Sequence, residues 1–335
     1  MKSIKKLLPG IIIAFVIALI ATKLGEIMPI IGGPVFGIVI GIIINNSMKK
    51  PKLLDEGVTF TSKKILQWAI IVLGAGLSFN QVKTTGVESL AVTVFTISTA
   101  FLTAYVFGKL LKVKGDLKTL IGVGTAICGG SAIAAISPII EADDMDIAYS
   151  ISTIFLFNII AVLIFPPLGH LIGFTDKAFG LWAGTAINDT SSVVAAGYAF
   201  SNKAGEYATI VKLTRATMII PISLIFTAIM AYKKKKEAEQ NKEVNYKFSK
   251  IFPWFILWFL VASVLNTMGV FKGGSIHYIN ILGKFMIVMA LSAIGLSSDF
   301  RKMVKSGIRP IILGLIVWFN VAIVSIIVQF ITGQI

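Results

Sequence analysis

Charged residues are scarce in this chain. Only 14% of its 335 residues are Asp, Glu, Lys or Arg, whereas 56% are hydrophobic and the mean hydropathy is +0.87. In soluble domains about a quarter of the residues are charged, so this chain has too few charges to cover a globule of its size. The alternating ten-residue segments of a transmembrane barrel are also missing. The composition therefore predicts an all-α polytopic membrane protein.

Cysteine and histidine are almost absent as well. The single cysteine, Cys128, excludes an intrachain disulfide and a cysteine-based metal cluster. Both histidines, His170 and His277, lie in or near predicted loops, where a solvated role is expected. The sequence has no HExxH motif, nucleophile elbow or nucleotide-binding loop, and no repeat typical of a channel filter. We therefore expect neither an enzyme nor a channel, and no metal or cofactor.

What the sequence does contain is a series of apolar segments whose lengths match the hydrocarbon thickness of a bilayer, roughly 17–25 residues. We interpret the chain, 1–335, as a single transmembrane transporter domain with a first half at 7–165 and a second half at 177–331. The eleven predicted segments are residues 7–24, 30–45, 64–82, 87–108, 117–141, 145–165, 177–200, 206–232, 251–268, 279–298 and 306–331.

The basic residues predict an orientation in the membrane. In a soluble protein the net charge of +15 would suggest nucleic acid, but here Lys and Arg concentrate in alternate loops, as they do in cytoplasmic loops. We therefore expect no nucleic acid, an N-terminus in the cytoplasm and, after eleven spans, a C-terminus outside. The basic loop 233–250 then lies inside and the acidic stretch 141–146 lies outside.

Segment five carries helix-weakening residues in its middle. Gly129 and Gly130 each cost about 1 kcal/mol relative to Ala in a helix interior, and Ser131 is a natural cap. The pattern predicts two half-helices, with Cys128, Gly129 and Gly130 at the break. The second would start near Ser131 and direct its positive end at the membrane centre, where it suits an anionic group. Alternatively, the glycines only permit close helix packing.

Segment ten offers a second candidate break, in LSAIGLSSDF at 291–300, with Gly295 and Ser297 near its inner end. Segments five and ten run in opposite directions and are five apart. They therefore suggest an inverted repeat of segments two to six and seven to eleven, with segment one extra. Two crossed discontinuous helices are a transporter design that fits this arrangement.

The motif GTAI occurs at 124 and again at 184, about seven residues into segments five and seven. The polar cluster that follows the second copy should therefore lie at the same depth as the glycines of the first. Two polar patches at one depth predict a shared binding cavity. Its candidate residues in segment seven are Asn188, Asp189, Thr190 and Ser191.

Asp189 is the one acidic residue predicted in the middle of a segment. Arg215 lies at nearly equal depth, because Asp189 is fourteen residues before and Arg215 twelve residues after the turn at Lys203. We predict an Asp189–Arg215 pair, serving either coupling or only helix packing. Lys212 and Lys284 are further basic residues that could also snorkel to the interface. The surplus of positive charge favours a small anionic solute, and proton coupling through Asp189 is a hypothesis.

Two stretches resemble the YeiH-type sulfate exporter family of bacterial inner-membrane proteins, GTAICGGSAIAAISPII at 124–140 and WAGTAINDTSSVVAAGYAFS at 182–201. The resemblance covers nearly the whole chain and implies a multi-pass secondary transporter related to the bile-acid symporter and cation/proton antiporter folds. It also implies a homodimer. Asp189 matches the family pattern. Asn188 and Ser192 stand where the family often has His and Gln, so a His-based proton relay does not transfer.

These observations predict an exporter or exchanger of a small anion, such as sulfate or another oxidised sulfur compound, that works by alternating access in a lipid bilayer. The candidate substrate-binding residues are Cys128, Gly129, Gly130, Ser131, Asn188, Thr190, Ser191, Arg215 and Ser297. The candidate coupling residues are Asp189, Arg215 and Lys284. The alternative is a proton- or sodium-coupled symporter of an organic solute.

Overall fold

The computed structural model describes residues 2–28, 32–48, 51–113, 115–236, 254–271, 273–298 and 307–335, and all regular elements in these ranges are helices. Six of the helices are long and apolar enough to cross a membrane. The chain is therefore an all-helical polytopic membrane protein, as its composition predicts. The helices are α1 (Lys2–Ile27), α2 (Gly33–Met48), α3 (Asp55–Phe60), α4 (Leu66–Gly74), α5 (Phe79–Leu110), α6 (Gly115–Ala126), α7 (Gly130–Ile140), α8 (Asp144–Ile172), α9 (Asp176–Ala186), α10 (Thr190–Phe200), α11 (Asn202–Thr217), α12 (Ile219–Lys236), α13 (Trp254–Thr267), α14 (Gly273–Ser297) and α15 (Ile308–Ile331).

The long helix α5 defines the two ends of the bundle. Near its start, Glu88 forms an ion pair with Lys177 of α9 at 2.8 Å, and its backbone oxygen accepts a hydrogen bond from Gln334. We call this the far end. α5 ends at Leu110, 22 residues after Glu88 and therefore about 33 Å away at a rise of about 1.5 Å per residue. We call that the basic end, because Lys109, Lys112 and Lys118 lie there.

Helices α9 and α10 form a hairpin that enters the bundle from the far end and returns to it. Their outer ends touch, because Ser201 donates a hydrogen bond to Asp176 at 2.5 Å. Gly180 near the start of α9 and Gly197 near the end of α10 both pack against Ala204 of α11. Each arm has 11 residues, so the turn between them lies about 17 Å inside the bundle.

Helices α6 and α7 form a second hairpin, which enters from the basic end. The position of α8 establishes this arrangement. The end of α8 lies at the far end, because His170 stacks on Phe200 with ring centroids 4.1 Å apart. With 29 residues, α8 begins roughly 43 Å away, at the basic end. Because α7 ends at Ile140, shortly before α8, it returns to the end from which α6 started.

The prediction of crossed discontinuous helices is therefore wrong, although the predicted break in segment five is present. Segment five folds back on itself and does not cross, so the acidic stretch 141–146 lies at the basic end and not opposite it. The second break lies in segment seven, between Ala186 and Thr190. Segment ten continues as α14 through Gly295 to Ser297, and its polar residues mark a helix end. Of the predicted loop 233–250, residues 233–236 continue α12 and the rest lies outside the described residues.

The remaining helices pack beside the two hairpins. α14 runs parallel to α2, and Asn45 and Asn46 of α2 donate to the backbone oxygen of Ser298 at 3.1 and 3.0 Å. The start of α2 reaches the α9–α10 hairpin, where Gly32 lies against Ala199. The middle of the bundle is thus enclosed by helices, and both hairpin turns lie within it.

Candidate functional site

The turns of the two hairpins meet in the middle of the bundle. Residues 127–129 connect α6 to α7, and residues 187–189 connect α9 to α10. A Cβ placed on Gly129 would lie 3.4 Å from the Cβ of Asp189. Asn158 of α8 accepts a hydrogen bond from the backbone N–H of Asp189 at 3.3 Å. The structure therefore brings together the two polar patches that the repeated GTAI motif places at one depth.

Lys212 of α11 bridges the two turns. Its Nζ donates to the backbone oxygens of Ile127 and Ile187, both at 2.9 Å. The side chain is fully buried, which excludes the snorkelling alternative for this residue. One lysine thus binds the carboxyl ends of both entering half-helices, α6 and α9. A cation is favourable there, because a helix C-terminus carries about half a negative charge.

Arg215 binds the same two helix ends one turn further along α11. Its Nε donates to the backbone oxygen of Ala126 at 2.7 Å, and its terminal nitrogens donate to the backbone oxygens of Thr125 and Thr185. This guanidinium is also fully buried. Five backbone carbonyls from two hairpins therefore share two basic side chains, which fixes the turns relative to each other.

The predicted Asp189–Arg215 pair does not form. The two residues do lie at similar depth, but within the described residues the structure contains no ion pair between them. Arg215 donates its hydrogen bonds to the backbone carbonyl groups, whereas Asp189 caps the N-terminus of α10. The carboxylate accepts hydrogen bonds from the backbone N–H of Ser191 at 3.0 Å and from the Ser191 hydroxyl. A carboxylate is favourable at that position, because a helix N-terminus carries about half a positive charge.

The second returning half-helix, α7, has no such cap. Its N-cap residue is Gly129, with φ +70° and ψ −132°, and no side chain of the cap residue accepts from its first turn. The side chain of Ser131 is exposed. The α7 N-terminus therefore presents backbone N–H donors to the centre of the bundle, and its own cap residue offers them no side-chain acceptor.

Several buried polar side-chain atoms near the turns have no hydrogen-bond partner. Among the described residues these include both the Nδ2 and the Oδ1 of Asn188, and the Nδ2 of Asn158. Neither side chain is more than 1% exposed. A buried polar group without a partner costs about 1–3 kcal/mol, so each of these atoms calls for an explanation, such as a bound water or ion.

The chain matches a family model described as "Conserved hypothetical protein 698" over residues 9–314. It is 48% identical over 342 residues to a UPF0324 membrane protein of Clostridium tetani, with 99% of each chain covered. It is 46% identical over 337 residues to a UPF0324 membrane protein of Streptococcus agalactiae, with 98% of each covered. For one of Fusobacterium nucleatum the identity is 46% over 344 residues, with 97% of this chain and 98% of the relative covered. The chain belongs to the UPF0324 family of membrane proteins.

These matches support the membrane-protein part of the YeiH-type resemblance, and the names of the UPF0324 relatives specify no substrate. The remaining predicted residues of this UPF0324 chain divide into two groups. Thr190 and Ser191 are buried at the start of α10, beside Asp189. Ser297 and Lys284 lie away from the turns. Ser297 bonds Ala293 within α14 at 3.0 Å, and Lys284 bonds Asn202 near the far end at 2.8 Å.

Sequence reasoning missed Asn158 and the bridging role of Lys212 in this UPF0324 protein. Asn158 interrupts the apolar run FLFNIIAVLIF, and an amide in the middle of such a run is a signal that could have identified it. No sequence signal identifies the partners of Lys212. They are backbone carbonyl groups, which every residue carries and which become available only where a helix ends.

Proposed function

We propose that this UPF0324 membrane protein is a secondary transporter of a small anion, which binds between the two hairpin turns. The observation that carries the proposal is the uncapped N-terminus of α7, which faces the Asp189 turn next to the buried bases Lys212 and Arg215. Broken helices whose N-termini point at a mid-membrane site are a recurrent device for binding anionic groups in transporters.

The charge balance supports an anion over a cation. The two helix N-termini and two helix C-termini that meet at the turns carry about half a charge each and cancel. Lys212 and Arg215 then contribute two positive charges against the one negative charge of Asp189. A sodium site would instead need several carboxylate or carbonyl oxygens, and the carbonyls at these helix ends already accept from the two bases.

We further propose that nine helical passes cross the membrane and that the two hairpins enter from opposite sides. The passes are α1, α2, α3–α4, α5, α8, α11–α12, α13, α14 and α15. Basic residues concentrate at one end of the bundle, which places that end in the cytoplasm by the positive-inside rule. The N-terminus is then cytoplasmic and the C-terminus external, in the inner membrane of a bacterium. Alternating access would expose the turns to each side in succession.

The test is a binding and exchange measurement on the purified full chain. Sulfate, sulfite, thiosulfate, short sulfonates and short carboxylates are screened for thermal stabilisation, and the anions that stabilise are tested for counterflow in proteoliposomes. We expect at least one anion to stabilise the protein and to exchange without sodium. If only neutral or cationic solutes stabilise the protein, or if uptake requires sodium and accepts a neutral solute, the anion proposal is wrong and the coupled symporter replaces it.

A further inference from the structure

We infer that the anion bound between the hairpin turns is a monoanion that also carries a hydrogen-bond donor, such as a hydroxyl group, and is not sulfate. The inference rests on the proposed function, because it specifies the substrate class of the same site. Two independent observations carry it, one from the buried charges and one from the unpartnered amide of Asn188.

The first observation is the net charge at the turns. Among the described residues around the turns, the ionic side chains are Lys212, Arg215 and Asp189, with one net positive charge when all three are ionised. A bound monoanion brings this centre to neutrality. A dianion leaves one uncompensated negative charge among buried groups, and an uncompensated buried charge is strongly unfavourable. The charge count therefore favours a monoanion over sulfate.

The second observation is the side chain of Asn188, which lies in the turn between the α9 carboxyl end and the Asp189 cap. Its amide is fully buried, and neither its NH2 group nor its oxygen has a partner. The amide thus offers two N–H donors and one acceptor oxygen, whichever way its two ends are assigned. An anion with only acceptor oxygens could satisfy the donors alone. A ligand with a donor of its own satisfies the oxygen as well.

Asn158 adds a further hydrogen-bond donor near the turns. Its Oδ1 is occupied by the backbone N–H of Asp189, whereas its Nδ2 has no partner. The α7 N-terminus adds backbone N–H groups with no side-chain cap. Acidic oxygens of a ligand therefore find donors from Asn158 and from α7. The oxygen of Asn188 remains as an acceptor for a hydroxyl group on the same molecule.

The experiment uses matched ligand pairs that differ by one hydroxyl group. Binding of isethionate and ethanesulfonate, of glycolate and acetate, and of sulfate to the purified full chain is measured by calorimetry. In at least one pair, we expect the hydroxylated member to bind about tenfold more tightly, as one added hydrogen bond to a buried group implies. Sulfate should bind more weakly than that ligand. Equal affinities within both pairs, or sulfate as the tightest ligand, would overturn the inference while leaving anion transport intact. If none of the five binds, the proposed function itself loses its support.

Two variants separate the two observations. Asn188→Val should reduce the ratio of affinities within the discriminating pair to about one, while the unhydroxylated anion still binds. Asn320→Val is the matched control, because the Asn320 amide donates to Ile316 on its own helix, α15, and the ratio should not change. Asp189→Asn raises the net charge by one and retains a capping side chain, so the affinity for sulfate should increase relative to the monoanions. An unchanged sulfate preference in Asp189→Asn would refute the charge argument, even if Asn188→Val failed to fold.

Discussion

At the scale of single residues, Gly129 is the position where the backbone most restricts the side chain. Its φ of +70° with ψ of −132° lies outside the regions that other residues adopt readily. The neighbouring Gly130 begins α7, and a Cβ there would meet only Phe155 at 3.5 Å, an ordinary contact. The Gly-Gly pair therefore contains one residue that needs to be glycine and one that does not.

This difference gives a matched pair of variants. Gly129→Ala should destabilise the protein by about 1–3 kcal/mol, the cost of a strained backbone conformation. It should also weaken anion binding, because the turn positions the first N–H groups of α7. Gly130→Ala should change both by much less. Thermal unfolding and ligand titration of the two purified variants test the prediction, and equal effects at both positions would contradict it.

The absent Asp189–Arg215 pair shows which part of the site the sequence could not predict. Equal depth was correctly inferred from the spacing around Lys203, but depth does not determine direction around the helix axis. In the folded protein the carbonyl groups at two helix ends compete for the bases, and the α10 N-terminus competes for the carboxylate. Those backbone groups become available only through the breaks, whose exact geometry the sequence does not specify.

Replacing Lys212 with Met tests whether the bridge holds the turns together. Met has similar length, but the variant leaves the buried oxygens of Ile127 and Ile187 without their donor. Each such loss costs about 1–3 kcal/mol, so the midpoint of thermal unfolding should fall by several degrees. Lys203→Met, at an exposed position, is the control and should be neutral. Equal midpoints for both variants would show that the bridge contributes little.

At the scale of elements, the hydrophobic segments were predicted well and their paths were not. Segment five has half-helices of 12 and 11 residues, which laid end to end would also span a membrane. Length and hydropathy therefore cannot distinguish a broken crossing helix from a re-entrant hairpin. In the proposed topology each hairpin returns to the end from which it entered, so the number of crossings falls by two and stays odd. The agreement with the positive-inside rule is preserved for that reason.

Thiol labelling distinguishes the hairpin from a crossing helix. In a Cys128→Ser background, the chain has no cysteine of its own, so single cysteines can be introduced at Asp116, Asp143 and Lys203. A membrane-impermeant maleimide should label Asp116→Cys and Asp143→Cys from one side of the membrane, and Lys203→Cys from the other. If Asp143→Cys were labelled from the same side as Lys203→Cys, segment five would cross and the hairpin would be wrong.

At the scale of the whole molecule, we propose that the surplus of positive charge at one end orients the bundle in the membrane, while Lys212 and Arg215 connect the two hairpins at its centre. The basic residues of the α5–α6 connection and the start of α1 lie at the same end, whereas the chain terminates at the other. Fluorescent and alkaline phosphatase fusions should therefore report the N-terminus in the cytoplasm and the C-terminus outside. Both termini on one side would require an even number of crossings and would contradict the topology.

The proposed anion site lies where the two hairpin turns meet, and the reactivity of the Cys128 thiol can be used to detect binding there. It is the one cysteine of the chain and lies buried in the α6–α7 turn. The measurement is the rate at which N-ethylmaleimide alkylates the full-length protein, with and without the anion that stabilises it most strongly. We expect the anion to slow alkylation several-fold, with half-maximal protection at its dissociation constant. A rate that is measurable without the anion and unchanged at saturating anion would show that the ligand binds elsewhere.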